Sequence, residues 1–345
     1  MATSLSLGPA GSFLCYFLKS MTTARSHQRI PLDLSNKTAI ITGGNSGLGY
    51  ECAAQLLTNN LSHLIITGRD EKKAAEAMKT LRARYPSATI ELWSLDMLDY
   101  DSIKGFVRRC SELNRIDIVI LNAGMFAGKF KVNGKTKHEE CFSVNYLSTA
   151  LLSVLLLPLL KEKRAPGAGN EPSRLTLVGS GLALSAIFPE RKGPNILTAF
   201  DNPSFFNTME RYNTTKLLLL FFVSKLSSFV NPSEVIINVA DPGFVHTPGL
   251  DRNLMGFEQA MMGAFRYAVA KSLRDGAWAY VNAAVTKGAR SHGGWVANWD
   301  IYPFPKIMYS PDGKAGGDKL WEETLDEFEW AGVRGILASM GKWSK

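Results

Sequence analysis

At residues 37 to 49 the chain reads Lys-Thr-Ala-Ile-Ile-Thr-Gly-Gly-Asn-Ser-Gly-Leu-Gly. The first six residues are mostly apolar and β-branched, which predicts a short buried strand, and a helical pattern begins at Tyr50. A strand, a glycine turn and a helix N-terminus in this order suit the phosphates of a dinucleotide. The backbone can approach them closely, and the first N–H groups of the helix are free to bind them. We therefore expect a dinucleotide to contact Gly43, Asn45, Ser46, Gly47 and Leu48.

Strand and helix patterns alternate along most of the chain. Further strands are predicted at His63–Thr67, Ala88–Leu95, Ile116–Leu121, Arg174–Gly179, Glu234–Ala240 and Gly294–Ala297. Strand–helix units in series imply a parallel sheet wound with right-handed crossovers. The prediction is an α/β fold: a Rossmann-type, doubly wound parallel sheet of about seven strands.

We expect this sheet to form one catalytic domain over residues 36–300, with an N-terminal extension at 1–35 and a C-terminal cover at 301–345. The extension is expected to carry a short docking helix at Phe13 to Met21, and a weak membrane-surface contact there stays open. Residues 181–211 form a Pro- and aromatic-containing insertion that we expect to bind substrate. The Met-rich segment 244–272 is expected to act as a lid.

Composition excludes several classes of protein. The net charge of +8 comes from scattered Lys and Arg side chains, so nucleic acid binding is not expected. Four cysteines without a CxxC pair and five unclustered histidines indicate a reducing, cytoplasmic location and no metal. The apolar run Leu147 to Leu160 is short and interrupted by polar residues and Pro158, so we expect a buried helix and no transmembrane segment.

The end of the second strand indicates which dinucleotide is bound, because in this fold it faces the adenosine ribose. The strand ends at Gly68 and is followed by Arg69, which can pair with a 2′-phosphate, so NADP(H) is favoured over NAD. Asp70 could instead turn inward to the ribose, which leaves NAD open. Asp96 and Met97, after the third strand, are expected at the adenine.

A tyrosine and a lysine lie four residues apart at Tyr212 and Lys216, ahead of an apolar run. On a helix both side chains share one face, one turn apart. A cation at that distance favours the phenolate, so we expect the pKa of Tyr212 to fall. Such a tyrosine can exchange a proton with a carbonyl or an alcohol oxygen.

These motifs resemble the short-chain dehydrogenase/reductase family over about residues 36 to 300. The resemblance rests on Thr42-Gly43-x-x-x-Gly47-Leu48-Gly49, on Asn122-Ala123-Gly124, on Asn145, Ser180, Tyr212 and Lys216 in that order, and on Pro242-Gly243-x-x-x-Thr247.

It implies that Tyr212 protonates a carbonyl oxygen, that Lys216 assists it and binds the nicotinamide ribose, and that Ser180 hydrogen-bonds the oxyanion. It also implies that Asn145 orders a water and that Asn122, Val245 and Thr247 contact the cofactor. Helices 139–160 and 211–230 resemble those of family subunit interfaces, so a homo-oligomer is plausible; their apolarity could equally be internal packing.

The sequence departs from the family pattern in one respect, because Ser180 and Tyr212 lie 32 residues apart instead of about a dozen. Ser185 is therefore the alternative serine. The intervening insertion is similar to the retinol-dehydrogenase-like branch and to fungal members of secondary metabolism. Its aromatic residues favour a bulky, apolar ketone, aldehyde or secondary alcohol as substrate. The alternative function is an NADP-binding scaffold or redox sensor without turnover.

Overall fold

One sheet forms the centre of the molecule. The computed structural model describes residues 3–23, 29–68, 71–164, 171–245 and 270–341. The strands, numbered along the chain, are β1 Thr38–Ile41, β2 His63–Thr67, β3 Thr89–Trp93, β4 Ile118–Leu121, β5 Ser173–Val178, β6 Val235–Ala240, β7 Gly294–Ala297 and β8 Asp300–Tyr302. Their order in the sheet is β3-β2-β1-β4-β5-β6-β7-β8.

The predicted doubly wound parallel sheet is confirmed, and the structure adds an eighth strand. Strands β1 to β7 pair in parallel, whereas β8 pairs antiparallel with β7 at one edge. Every residue of β1, β4 and β6 is buried, as expected for strands covered by helices on both faces. The strand order reverses between β1 and β4, so a ligand site is expected outside the carboxyl ends of these strands.

Helices cover both faces of the sheet and form both ends of the described chain. They are α1 Thr3–Ser6, α2 Phe13–Thr23, α3 Gly47–Thr58, α4 Glu71–Arg84, α5 Tyr100–Ser111, α6 Glu140–Phe142, α7 Ser148–Glu162, α8 Ile196–Phe200, α9 Thr208–Leu226, α10 Leu273–Val281, α11 Pro311–Glu327 and α12 Val333–Met340. The N-terminal helix α2 lies where the sequence predicts a short docking helix.

The predicted long helix around Asn145 is divided by one π-helical turn, Ser143–Leu147, between α6 and α7. Single π turns inside α-helices often occur at functional sites. The stretch Glu140–Glu162 is apolar and long enough to cross a membrane by composition, but 83% of its apolar window is buried inside the fold. A helix that is buried to this extent by the rest of the chain has the position of a core helix.

The insertion at 181–211 has more secondary structure than its sequence pattern predicts. It contains the short helix α8 and 3-10 turns at Gly181–Ser185, Pro189–Lys192 and Pro203–Phe205. Helix α9 already begins at Thr208, because the Asn207 side chain caps it by accepting the Glu210 N–H at 2.9 Å.

Hydrogen bonds fix the insertion to its neighbours at both ends. The Glu210 carboxylate accepts the N–H groups of Ile187 (2.7 Å) and Phe188 (3.1 Å), and the Glu323 carboxylate accepts that of Ile196 (2.8 Å). The insertion is therefore packed between α9 and the C-terminal helix α11.

The C-terminal segment covers α7 and α9. The Trp321 ring lies 5.4 Å from Phe229 and 5.8 Å from Phe222, centre to centre, and the hydroxyls of Thr324 and Tyr146 are 2.8 Å apart. A Cβ added to Gly317 would lie 2.5 Å from the Phe221 ring, so α11 approaches α9 closely. Of the two explanations left open for the apolarity of these helices, internal packing accounts for the contacts of the described residues.

Candidate active site

The glycine turn after β1 has the shape that a pyrophosphate requires. Gly43 and Gly47 have φ of +65° and +57°, and α3 begins at Gly47 with Ser46 as its N-cap. A Cβ added to Gly47 would meet no described atom within 4 Å, so open space lies beside the first N–H groups of the helix. A Cβ on Gly49 would lie 2.5 Å from the Gly43 carbonyl oxygen, so the turn and helix pack with no room for a side chain there.

Asn122, after β4, holds this turn in place. Its Nδ2 donates to the carbonyl oxygens of Thr42 (2.9 Å) and Gly43 (3.1 Å), and the Ala123 N–H donates to the Thr42 hydroxyl (3.0 Å). The Asn122 side chain is thus engaged with the protein backbone, so it supports the turn from behind.

The remaining described cofactor candidates lie around the same edge of the sheet. A Cβ on Gly68 would lie 2.9 Å from Cγ of Asn45, which places Asn45 at the end of β2. A Cβ on Gly276 would lie 2.4 Å from Val245 and 2.9 Å from Leu48, so the glycine turn and the turn after β6 meet over this residue. Space and free backbone donors at this edge fit a dinucleotide.

Asp96 and Met97 lie in the loop between β3 and α5. The Asp96 carboxylate accepts the Leu98 N–H at 3.0 Å, and the Met97 carbonyl accepts the Ser148 hydroxyl at 2.5 Å. Their loop is therefore fixed both locally and by α7. Arg69 and Thr247 lie outside the described residues, as does most of the predicted lid.

Ser180 and Tyr212 come together despite the long insertion between them. Ser180 follows β5, and its hydroxyl lies near enough to Tyr212 on α9 to lower the pKa of that phenol. Ser185, the alternative serine, is exposed at the end of its 3-10 turn. The insertion loops out between the two residues, so the 32-residue spacing does not separate them in space.

Lys216 lies one turn after Tyr212, at the end of β5. Its Nζ donates to the Val178 carbonyl oxygen at 2.8 Å and lies 5.6 Å from the centre of the Tyr212 ring. Burial lowers the pKa of Lys216 to about 8. Burial also raises the pKa of Tyr212, with smaller contributions from Cys141 and Asp241, while the Ser180 hydrogen bond opposes the rise.

The expectation that the pKa of Tyr212 falls is therefore wrong for this structure. Desolvation is the largest cause of both shifts, because it makes the charged form of each group more costly. The Lys216 ammonium also bonds the backbone instead of the phenol oxygen. At neutral pH the structure thus holds Tyr212 as a neutral phenol, the form that can give up a proton.

Asn145 lies in the π turn and binds the loop after β4. Its Oδ1 accepts the Met125 N–H (2.8 Å), and its Nδ2 donates to the Met125 carbonyl (2.9 Å) and to the Thr215 hydroxyl (3.2 Å). A Cβ added to Gly124 would lie 3.2 Å from Oδ1 of Asn145 and 3.6 Å from Nζ of Lys216. The glycine therefore leaves a small gap between these two side chains.

Apolar side chains surround the exposed approach to Tyr212. The Phe126 ring lies 5.6 Å from that of Tyr212, and the Phe130 ring lies 5.7 Å from that of Phe206 in the insertion. Phe126 and Met209 are 40% and 51% exposed, so apolar surface is available to a ligand. Within the described residues, no group of three or more His, Cys, Asp or Glu side chains is placed to hold a metal ion.

Three residues of this region carry no motif in the sequence. Asp241 is buried and raises the pKa of Tyr212, and apart from Gly243 its partners are distant in the chain. Met125 acts through its backbone, which any residue could supply. The sequence does contain a sign that Arg211 is special. Thr215 and Leu218, four and seven residues later, lie with it on the buried face of α9, where a cation is unusual.

Comparison with known proteins gives consistent matches. A family model described as short chain dehydrogenase matches residues 37–168. The short chain dehydrogenase/reductase mfmJ of Annulohypoxylon moriforme is 46% identical over 309 residues, which cover 89% of each chain. The short-chain dehydrogenase fogG of Aspergillus ruber is 37% identical over 99% of this chain and 100% of its own.

Solved structures share the fold at low identity. An NADPH-bound short chain oxidoreductase of Pseudomonas aeruginosa PAO1, described as containing an atypical catalytic center, has a TM-score of 0.56 at 20% identity and covers 80% of this chain and 98% of its own. The RhlG/NADP active-site complex of Pseudomonas aeruginosa has a TM-score of 0.60 at 20% identity, over 81% and 98%.

Proposed function

Because this chain belongs to the short-chain dehydrogenase/reductase family, we propose that it is an NADP(H)-dependent reductase acting on a carbonyl group of a bulky, apolar small molecule. The observation that carries the proposal is the placement of the Ser180 hydroxyl near the protonated, half-buried Tyr212, with Lys216 one turn away. Both hydroxyls can reach one substrate oxygen from that arrangement. When bound, NADP(H) supplies the hydride.

The chain's own residues handle the proton and the developing charge. The Tyr212 hydroxyl gives its proton to the substrate oxygen, and its raised pKa means that the phenol carries this proton at neutral pH. The Ser180 hydroxyl donates a hydrogen bond to the same oxygen as negative charge develops there. The Lys216 ammonium stabilises the phenolate that Tyr212 becomes, and Asn145 would order a water near Lys216.

Residues of the glycine turn would hold the pyrophosphate of NADP(H), while Val245 and Thr247 would contact the nicotinamide and Arg69 the 2′-phosphate. The open space beside Gly47 supports the first assignment. Residues 181–211 would select the substrate, and Phe206 packed against Phe130 supports an apolar preference. Four free cysteines support a reducing, cytoplasmic location. The resemblance to fungal proteins of secondary metabolism favours a secondary metabolite as substrate.

The test is NADPH oxidation on a panel of ketones and aldehydes by the parent and by Tyr212→Phe. We expect the variant to lose about 10²-fold or more in kcat while it binds NADPH as the parent does. Ser180→Ala should lose activity, whereas its matched control Ser185→Ala should not. Normal turnover by Tyr212→Phe would overturn the assignment, and NADPH binding by the parent without turnover on any carbonyl would favour a scaffold or sensor.

A further inference from the structure

The N-terminal helix α2 lies against the end of the sheet next to the site. The Tyr16 ring is stacked 6.0 Å from Trp295 of β7 and lies edge-on 5.4 Å from Tyr302 of β8. Phe17 lies 5.8 Å from Phe244, in the turn after β6. Tyr16 is 3% exposed, so this helix is an integral layer of the fold.

The Tyr16 hydroxyl donates a hydrogen bond to the buried carboxylate of Asp241, the residue after β6. That carboxylate also accepts the Gly243 N–H at 2.9 Å, and the N–H of Gly181, the residue after Ser180, points to it closely enough to lower its pKa. Asp241 therefore joins three segments that are distant in sequence. They are the N-terminal helix, the loop that carries Ser180 and the turn that leads to the nicotinamide side.

Both glycines of this cluster are in direct contact with α2. A Cβ added to Gly181 would lie 2.2 Å from Cε1 of Tyr16. A Cβ on Gly243 would lie 3.0 Å from Oγ of Ser20, one turn further along α2, and 2.9 Å from Nζ of Lys271. The helix thus fills the space that side chains at 181 and 243 would otherwise occupy.

The charge of Asp241 is felt in the candidate active site, where it raises the pKa of both Tyr212 and Lys216. Burial raises the pKa of Asp241 itself, while the hydrogen bond from Tyr16 favours the ionised carboxylate. The titratable groups that face Asp241 are Tyr16 on α2, Tyr212 and Lys216 on α9, Lys271 before α10, Tyr280 on α10 and Tyr302 on β8.

We propose that Tyr16 is a positioning residue of the active site, and that the N-terminal helix acts on catalysis through the Tyr16–Asp241 hydrogen bond. This bond keeps the Asp241 carboxylate aligned with the N–H groups of Gly181 and Gly243. It thereby fixes the Ser180 hydroxyl on one side and the turn before Val245 on the other. The proposal rests on the proposed function, but its structural half can be tested without turnover.

Tyr16→Phe removes only the hydroxyl and keeps the packed ring. Tyr309→Phe is the matched control, because the Tyr309 hydroxyl also anchors the N-terminal segment, by donating to the carbonyls of Ser4 (3.0 Å) and Gly8 (2.5 Å), without touching Asp241. Amide hydrogen exchange at Gly181 and Gly243 should be about tenfold faster in Tyr16→Phe and unchanged in Tyr309→Phe.

In turnover, Tyr16→Phe should lower kcat about tenfold through misplacement of Ser180, with an unfolding midpoint close to that of the parent. Loss of the bond also makes Asp241 easier to protonate, which removes negative charge beside Lys216 and moves the alkaline limb of the kcat profile to lower pH. Asp241→Asn should reproduce this shift, and adding Tyr16→Phe to it should have little further effect.

The outcomes separate the two proposals. Unchanged exchange at Gly181 and Gly243 in Tyr16→Phe, or equal effects of Tyr16→Phe and Tyr309→Phe, would overturn the positioning role. A kcat profile that stays at the parent's pH would overturn the charge effect. A parent enzyme that reduces no carbonyl defeats the proposed function alone, since the exchange experiment still decides whether Tyr16 anchors the two loops.

Discussion

The guanidinium of Arg211 and the carboxylate of Glu139 lie 3.7 Å apart in the core, and both side chains are at most 1% exposed. The Glu190 carboxylate lies 3.6 Å from the same guanidinium, which covers the Phe200 ring at 4.4 Å. Among the described residues, the three guanidinium nitrogens have no hydrogen-bond partner. This cation directly precedes Tyr212 and touches the insertion through Glu190 and Phe200.

We expect Arg211→Met to lower the free energy of unfolding by about 3–5 kcal/mol at pH 7, because two buried carboxylates lose their cation. Burial already raises the pKa of Glu139 and Glu190, so both protonate readily and the loss should shrink at pH 5. Urea unfolding at the two pH values measures this. The triple variant Arg211→Met, Glu139→Gln, Glu190→Gln should regain most of the lost free energy of unfolding. A loss of stability in Arg211→Met that does not change with pH would contradict this explanation.

His138 links the insertion to the C-terminal cover. Its Nδ1 lies 2.7 Å from Asp201 and its Nε2 lies 3.2 Å from Glu327. Burial alone would lower the pKa of His138, but the hydrogen bonds to these carboxylates raise it to about 9. The stabilisation is complete below the unfolded pKa near 6.5 and is lost as the pH rises through about 9.

His138→Gln should therefore cost about 2–3 kcal/mol at pH 7, and the parent and variant should converge above pH 9. Thermal or urea unfolding from pH 6 to 10 gives the difference. Asp201→Asn removes one of the two carboxylates that bind His138, so it should also reduce the pH dependence of the free energy of unfolding. A constant difference across this range would mean that packing, and not the charge of His138, is responsible.

Lys216 should make stability and turnover change in opposite directions with pH. Its pKa of about 8 lies below the unfolded value, so the unfolded chain holds the proton longer and folding becomes more favourable between about pH 8 and 10.5. The gain relative to Lys216→Met should reach about 2–3 kcal/mol. Turnover should fall over the same range, as the ammonium that stabilises the Tyr212 phenolate is lost. Turnover that stays constant to pH 10 would contradict this role.

Arg69 should determine the cofactor preference. Arg69→Ala should raise the Michaelis constant for NADPH about tenfold or more and leave that for NADH nearly unchanged, because only NADPH carries the 2′-phosphate. Arg84→Ala, which removes an exposed cation from α4, is the control for general attraction of the anionic cofactor. An unchanged NADPH constant in Arg69→Ala would transfer the role to another residue and reopen NAD through Asp70.

Local sequence signals were sufficient for the sheet and for the glycine turn, because strand periodicity and the glycine spacing are set by neighbouring residues. They placed Ser180 and Tyr212 in the right elements, although their contact depends on how residues 181–211 loop out. The π turn at Asn145 and the raised pKa of Tyr212 could not be read in advance. The raised pKa follows from desolvation by elements far away in the chain, and the Tyr16–Asp241 bond joins residues 225 positions apart.

The C-terminal helices α11 and α12 have a consequence for assembly. They belong to the same chain as the helices they cover, so this contact forms at a fixed effective concentration instead of depending on protein concentration. Dilution cannot expose the apolar faces of α7 and α9, whereas an interface between separate subunits weakens on dilution. The stability contributed by this surface should therefore be the same at nanomolar and micromolar protein.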